Sequence, residues 1–134
     1  MATNRVQIDT RASLDKVWSA VRDIGALHTK LVPGFVIQTG VEPDGRVRLV
    51  TFANGRTLRE PIVAIDDRQK RLVWTAEGSK YRHHNGAIEV IEIEGGMTRV
   101  IWTFDYLPDT LEPEVKAGMA AGARAMQVAL DRLA

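Results

Sequence analysis

The sequence predicts an α+β fold in which one antiparallel sheet of seven strands wraps around a long C-terminal helix. Three observations support this prediction: a first strand precedes two short helices, six strands with short turns follow, and the chain ends in an amphipathic stretch. The short connections indicate antiparallel pairing, because a parallel crossover needs about a dozen or more residues. A sheet that meets a single helix must curl around it to bury its apolar face, and curling favours an interior cavity.

The first elements follow from two short-range patterns. Residues 5–10 alternate polar and apolar side chains, which is typical of a half-buried strand. Ser13 is a favourable N-cap, and apolar residues recur after it at helical spacing, so a short helix is predicted there. A second short helical segment is predicted over 24–31, and Pro33-Gly34 is expected to end it.

Six further strands are predicted over 35–107, where strand patterns alternate with turn signals. The turns are expected at 43–45, 54–55, 66–70, 78–81 and 94–96. Pro108 ends the last strand, and Asp109 or Thr110 is expected to cap a helix that runs to about Leu133.

The C-terminal helix has an apolar stripe and a side of small residues. The stripe consists of Val115, Met119, Gly122, Met126, Leu130 and Leu133. The small residues are Gly118, Gly122, Ala125 and Ala129. They have two interpretations, close packing of the helix on the sheet or widening of a cavity beneath it, and both can hold.

The composition predicts one domain, 1–134, and argues against several functions. With 134 residues, 45% of them hydrophobic, the chain can bury one core but has no room for a second domain. A net charge of +1 is far from the basic balance of nucleic-acid-binding proteins, so no nucleic-acid partner is expected. The chain has no cysteine, which excludes disulfides, thiolate nucleophiles and Cys-containing zinc sites. We expect no metal and no cofactor.

The N-terminus predicts no membrane insertion. Residues 1–9 contain no apolar run, so they are interpreted as neither a signal peptide nor an anchor. We therefore expect a cytoplasmic protein. The sequence leaves its oligomeric state open between a monomer and a homodimer.

Three stretches of the chain resemble one known superfamily. They are Ala-Asn-Gly-Arg-Thr-Leu-Arg-Glu-Pro-Ile at 53–62 followed by Asp66, His-Asn-Gly-Ala-Ile-Glu-Val at 84–90, and Thr-Arg-Val-Ile-Trp at 98–102 through Phe104 to Pro108. Together they resemble the polyketide-cyclase-like branch of the START-like (SRPBCC) superfamily, over nearly the whole chain. The resemblance implies the helix-grip fold with an interior ligand cavity. Plant abscisic acid receptors share the fold, but this chain lacks their gate sequences, so no receptor role is implied.

Glu60 is the first candidate for a functional residue. It shares its strand parity with Leu58 and Ile62, so it is expected to face inward. In the family that the chain resembles, the matching glutamate lines the ligand cavity. A buried carboxylate needs a partner or a raised pKa. The alternative is that the strand end is splayed and Glu60 reaches solvent or a structural arginine.

Arg48 is the candidate partner of Glu60, and its direction depends on the length of one turn. A two-residue turn at Asn54-Gly55 would pair Thr51 with Leu58 and direct Arg48 outward. A three-residue turn, 53–55, would pair Val50 with Leu58 and bring both Arg48 and Phe52 inside. The recurrent arginine of the family that the chain resembles favours the second register.

His84 is the second polar candidate. Its parity matches that of Gly86 and Ile88, so it is expected to face inward while His83 faces outward. Two adjacent histidines on a strand point to opposite faces and therefore do not readily share one metal ion. A neutral imidazole in a cavity could bind a ligand carbonyl or hydroxyl, or act as an acid or base. The alternative is a structural histidine with no ligand.

The remaining cavity candidates are apolar. They are Leu58, Trp74, Trp102, Phe104, Met119, Gly122 and Met126, which share inward parity on strands or lie on the helix stripe. Aromatic and methionine side chains suit flat apolar ligands because they offer a large, adaptable contact area. Ordinary core packing explains the same residues equally well.

Three functions are consistent with these residues and with the resemblance. The leading hypothesis is a binding module that holds, transports or sequesters a small, mostly hydrophobic molecule such as a lipid, a polyketide or an aromatic compound. The second is an aromatase or cyclase-like enzyme in which Glu60 and His84 transfer protons. The third is a co-chaperone-like interaction protein. The sequence has no P-loop, no Gly-x-Gly-x-x-Gly and no Gly-x-Ser-x-Gly motif that would point to another chemistry.

Overall fold

The order of strands and helices follows the prediction. The computed structural model describes residues 1–134. Its main elements are β1 (Ala2–Thr10), α1 (Leu14–Arg22), β2 (Val36–Val41), β3 (Val47–Phe52), β4 (Thr57–Asp66), β5 (Arg71–Trp74), β6 (His83–Glu92), β7 (Thr98–Leu107) and α2 (Glu112–Asp131). Two short helical turns, Ile24–Ala26 and Leu27–Leu31, form the second helical segment between β1 and β2.

All seven strands form one antiparallel sheet with the spatial order β1-β7-β6-β5-β4-β3-β2. Helix α2 packs against β1 and the helical turn Leu27–Leu31, with its buried side facing the interior. Ser13 caps α1, because its hydroxyl accepts a hydrogen bond from the backbone N–H of Lys16. The predicted α+β fold is confirmed. No helix is both long enough and apolar enough to cross a membrane.

The turn between β3 and β4 has the three-residue form. The N–H of Phe52 donates to the carbonyl of Arg56 at 2.8 Å, and Val50 pairs with Leu58. Gly55 has a φ of 86°, a left-handed conformation that glycine adopts without steric cost. This register places Arg48 directly opposite Glu60. The second of the two registers considered above is therefore confirmed.

Helix α2 begins later than predicted. Residues Asp109–Leu111 form a 3₁₀ turn, and the α-helix starts at Glu112 with no side-chain cap. The expectation that Asp109 or Thr110 caps this helix is wrong. Pro113 rules out Asp109, because its ring would clash with the carbonyl of residue 109 in an α-helix that began there, and Thr110 lies inside the 3₁₀ turn.

The two helix glycines differ in what surrounds them. A Cβ placed on Gly122 would lie 2.8 Å from a ring carbon of Trp102 and 3.3 Å from Phe35. A Cβ placed on Gly118 would meet nothing within 4 Å. Close packing therefore explains Gly122, whereas Gly118 widens the interior. The assignment of Gly122 to the cavity wall is wrong, because the indole of Trp102 covers it.

This difference predicts opposite effects of the same substitution. Gly118→Ala should raise the free energy of unfolding by up to about 1 kcal/mol, because alanine is the better helix former. Gly122→Ala should lower it by about 1 kcal/mol, because overpacking against Trp102 outweighs the same gain. Urea unfolding of both variants measures the two changes. Stabilisation by both substitutions would contradict the close packing at Gly122.

Candidate functional site

A cavity lies between the concave face of the sheet and α2. Its volume is about 570 Å³, and 18 of its 26 lining residues are hydrophobic. This volume falls within the range of about 300–1,000 Å³ that is usual for small-molecule sites. Its mouth is formed by four polar lining residues that are exposed or partly exposed, Asn54, Arg56, Tyr81 and Glu114. The fold thus leaves space for a ligand rather than filling its interior.

Most of the predicted site residues surround this cavity. They are Arg48, Leu58, Glu60, Trp74, His84, Trp102, Phe104, Met119 and Met126. Gly122 is the exception, as described above. The structure thus brings these side chains to one space, and their role in binding a ligand stays a prediction.

Arg48 and Glu60 form a buried ion pair. Nε of Arg48 donates to Oε1 of Glu60 at 2.8 Å, and the two side chains are only 3% and 5% exposed. Burial raises the pKa of the Glu60 carboxyl above its ordinary value, and the charge and hydrogen bond of Arg48 oppose this shift. The predicted inward orientation of both residues is confirmed.

Trp74 supports the ion pair from the next strand. The guanidinium carbon of Arg48 lies 5.1 Å from the centre of the Trp74 ring, a cation–π geometry. The indole in turn lies over Gly86 on β6, where a Cβ would come within 2.5 Å of it. Gly86 therefore leaves the space that the Trp74 indole occupies, and the indole packs against the guanidinium of Arg48.

His84 faces the cavity on β6, as predicted. Its ring centre lies 4.4 Å from that of Phe104 and 5.5 Å from that of Tyr81. Burial lowers the pKa of His84 to about 4, so the imidazole is neutral at pH 7. Nδ1 is sealed and has no hydrogen-bond partner, which leaves Nε2 as the nitrogen open to the cavity. His83 is exposed.

Tyr81 is a cavity residue that the sequence analysis missed. It belongs to the segment between β5 and β6, which was interpreted only as a turn at 78–81. Its ring packs edge-on against His84 and Phe104. Lys80 beside it forms an ion pair with Glu114 of α2 and so holds the segment over the mouth. The sequence signal for this role was an aromatic side chain in an otherwise polar turn, two residues before the start of β6.

The comparisons with known proteins agree with this architecture. Residues 1–134 match the family described as polyketide cyclase / dehydrase and lipid transport. The chain belongs to this family. No protein of curated function matches it in sequence.

Solved structures of other members of the fold are similar along the whole chain. The protein XoxI from Bacillus cereus superimposes with a TM-score of 0.86 at 18% identity, covering 97% of this chain and 96% of XoxI. A START superfamily protein from Mycobacterium smegmatis gives 0.77 at 10% identity, covering 98% and 99%. The Zhui aromatase/cyclase from Streptomyces sp. R1128 gives 0.81 at 14% identity, covering 98% and 94%. At these identities the similarity shows the shared helix-grip fold.

In this family member, the hydrogen-bonding side chains below the mouth of the cavity lie at one level. We call Arg48, Glu60 and His84 the polar band. The carbonyl of His84 accepts from Oγ1 of Thr75 at 2.6 Å, and the N–H of Thr75 donates to the carbonyl of Pro61 at 3.0 Å. These bonds align β4, β5 and β6, and Arg48 pairs directly with Glu60, so the polar band lies at a similar height on β3, β4 and β6. No three His, Cys, Asp or Glu side chains converge to hold a metal ion.

The ion pair predicts a strong dependence of stability on keeping both partners. Glu60→Leu should lower the free energy of unfolding by about 3 kcal/mol, since it leaves Arg48 buried without a counter-charge. The double variant Arg48→Met/Glu60→Leu should recover most of this loss. Chemical unfolding at pH 7 measures both, with Lys116→Gln in the exposed Glu112–Lys116 pair as the control, expected to cost less than about 1 kcal/mol. Equal losses in the single and double variants would contradict this prediction.

His84 predicts a loss of stability in acid. Because its pKa is about 4 in the folded protein and about 6.5 unfolded, the unfolded state binds more protons between these values. Stability should therefore fall as the pH is lowered from 6.5 towards 4, by about 2–3 kcal/mol from this residue. Unfolding measured from pH 7 to 4.5 should show a smaller fall in His84→Phe, and an unchanged fall in His83→Gln. If all three proteins respond alike, His84 is not desolvated.

Proposed function

We propose that the protein binds a small, mostly hydrophobic molecule in this cavity, and that it stores, carries or sequesters that molecule. The observation that supports the proposal is the cavity of about 570 Å³, apolar on most of its lining, with hydrogen-bonding groups confined to a few positions. Such a surface is typical of sites in which apolar contacts give affinity and a few polar groups orient the ligand.

The proposed roles of the residues follow from their positions. Arg48, Glu60 and His84 orient the ligand through hydrogen bonds. The apolar contacts come from Leu58, Trp74, Trp102, Phe104, Met119 and Met126. Because three of these six side chains are aromatic and two are methionines, a lipid chain, a polyketide or an aromatic compound would fit. The proposal includes a cytoplasmic location and action without a cofactor.

The comparisons support the same class of function. The family description includes lipid transport as well as cyclase and dehydrase activity. Binding a hydrophobic molecule is common to all of these, so the proposal rests on the shared part of the description rather than on one activity.

An aromatase or cyclase-like enzyme is the second candidate. Two titratable groups, Glu60 and His84, line one cavity and have pKa values displaced from their ordinary ranges, which is typical of catalytic sites. The similarity to the fold of an aromatase/cyclase agrees with it. Incubation of the protein with the molecule it retains would distinguish the candidates, because a binding protein returns that molecule unchanged.

The proposal predicts that blocking the cavity from α2 abolishes binding. Gly118→Leu should project its side chain into open space and reduce affinity for 1-anilinonaphthalene-8-sulfonate more than tenfold, because the wall moves into the volume that the dye needs. Ala120→Leu, on an exposed position of the same helix, is the matched control and should bind as the wild type does. Fluorescence titration measures all three proteins, and their far-ultraviolet circular dichroism should agree.

Native mass spectrometry provides the direct test of the proposed function. Protein purified from its own host should carry an added mass that Gly118→Leu does not carry.

Dye binding that is equal in Gly118→Leu and wild type, with both folded, would refute binding in this cavity.

A further inference from the structure

The hydrogen-bonding side chains inside the cavity all come from the sheet, whereas the helix side of the cavity is apolar. Arg48, Glu60 and His84 lie on β3, β4 and β6, and they all project from the concave face of the sheet. Neighbouring strands are about 4.8 Å apart, so the polar band extends over three strand spacings, about 14 Å, from β3 to β6. It is therefore a strip of hydrogen-bonding groups along one wall rather than a single point.

The opposite wall offers no hydrogen bonds from side chains. Helix α2 contributes Val115, Ala117, Gly118, Met119 and Met126 to the lining. Its one polar lining residue, Glu114, is half exposed at the mouth and is paired with Lys80. The turn Leu27–Leu31 adds only Leu27 and Leu31 to the lining.

The polar band has hydrogen-bonding capacity that the protein does not use. Of the guanidinium of Arg48, only Nε is bonded, and the two terminal nitrogens have no protein acceptor although the side chain is 97% buried. Oε2 of Glu60 and Nε2 of His84 likewise have no protein partner, and none of these atoms is sealed from the cavity. Because these atoms reach the cavity and have no protein partner, they are free to bond to polar atoms of a ligand and so indicate the chemistry of an occupant.

We propose that the ligand of this cavity is a flat molecule with its oxygen atoms along one edge and an apolar opposite edge. The oxygenated edge lies on the polar band, where Arg48 donates, Glu60 accepts, and His84 does either according to its tautomer. The apolar edge lies against α2. This inference rests on the proposed function, and it adds which arrangement of polar groups on a ligand the cavity selects.

Two isomers test this arrangement without a change in composition. In 2,7-dihydroxynaphthalene both hydroxyls lie on the same long edge, whereas in 2,6-dihydroxynaphthalene they lie on opposite edges. Displacement of bound 1-anilinonaphthalene-8-sulfonate measures the affinity of each. The 2,7 isomer should bind the wild type about tenfold more tightly, because one hydroxyl of the 2,6 isomer must lose its hydrogen bonds against the helix.

A variant identifies the cause of the preference. In Arg48→Met/Glu60→Leu the ratio of the two affinities should fall towards one, and in the exposed control Lys116→Gln it should stay as in the wild type. A ratio near one in the wild type, or a preference for the 2,6 isomer, overturns the inference while leaving binding in the cavity intact. A preference that survives in the folded double variant overturns it too. If the double variant does not fold, the wild-type ratio alone decides.

The outcomes also separate this inference from the proposed function. If the dye and both isomers fail to bind the wild type, the proposed function fails, and the inference fails with it. If the dye binds and is displaced by both isomers equally, only the inference fails.

Discussion

The interior of this protein depends on the ion pair between Arg48 and Glu60. Two opposite charges lie in an apolar space, and neither is tolerable there without the other, because an unpaired buried charge costs several kcal/mol. The pairing exists in only one register of β3 against β4, since a slip of β3 by one residue would turn Arg48 outward and leave Glu60 inside without its partner. The turn at 53–55 contains Gly55 in a left-handed conformation and sets this register. Its length therefore determines whether Arg48 lies inside the cavity beside Glu60.

A second set of contacts connects this ion pair to β5 and β6. Trp74 lies beneath Arg48, and the missing side chain of Gly86 leaves the space that the indole occupies. A larger residue at 86 would displace Trp74 and with it the cation–π contact. Gly86 has no side chain with which to contact a ligand. It nevertheless positions, through Trp74, the guanidinium of Arg48, which has the most unused hydrogen-bond donors in the cavity. Residues of this kind act through packing, so the chemistry of their own side chains does not reveal them.

The sequence predicted what depends on strand parity, and it failed where contacts between distant elements decide. The inward orientation of Glu60 and His84 could be predicted, because side chains alternate between the two faces along a strand. Arg48 needed a turn length that two patterns allowed, and the family resemblance favoured the observed one. Gly118 and Gly122 are four residues apart on one helix side, and only the position of the Trp102 ring, contributed by β7, distinguishes open space from close packing. No local pattern contains that information.

The strengths of the polar groups bear on whether the cavity binds or catalyses. Proton transfer is most efficient when the pKa of the acid or base lies near the working pH. His84, with a pKa of about 4, is a weak base and is not protonated at pH 7, so it cannot serve as the acid there. Burial raises the pKa of the Glu60 carboxyl, but its Oε1 accepts a hydrogen bond from Arg48, so a proton transfer at Oε1 must first break this bond. His84 is therefore better suited to hold a ligand by a hydrogen bond than to exchange protons with it, and Glu60 is tied to Arg48. A catalytic role would require a bound substrate that separates Glu60 from Arg48 or returns the pKa of His84 towards neutrality.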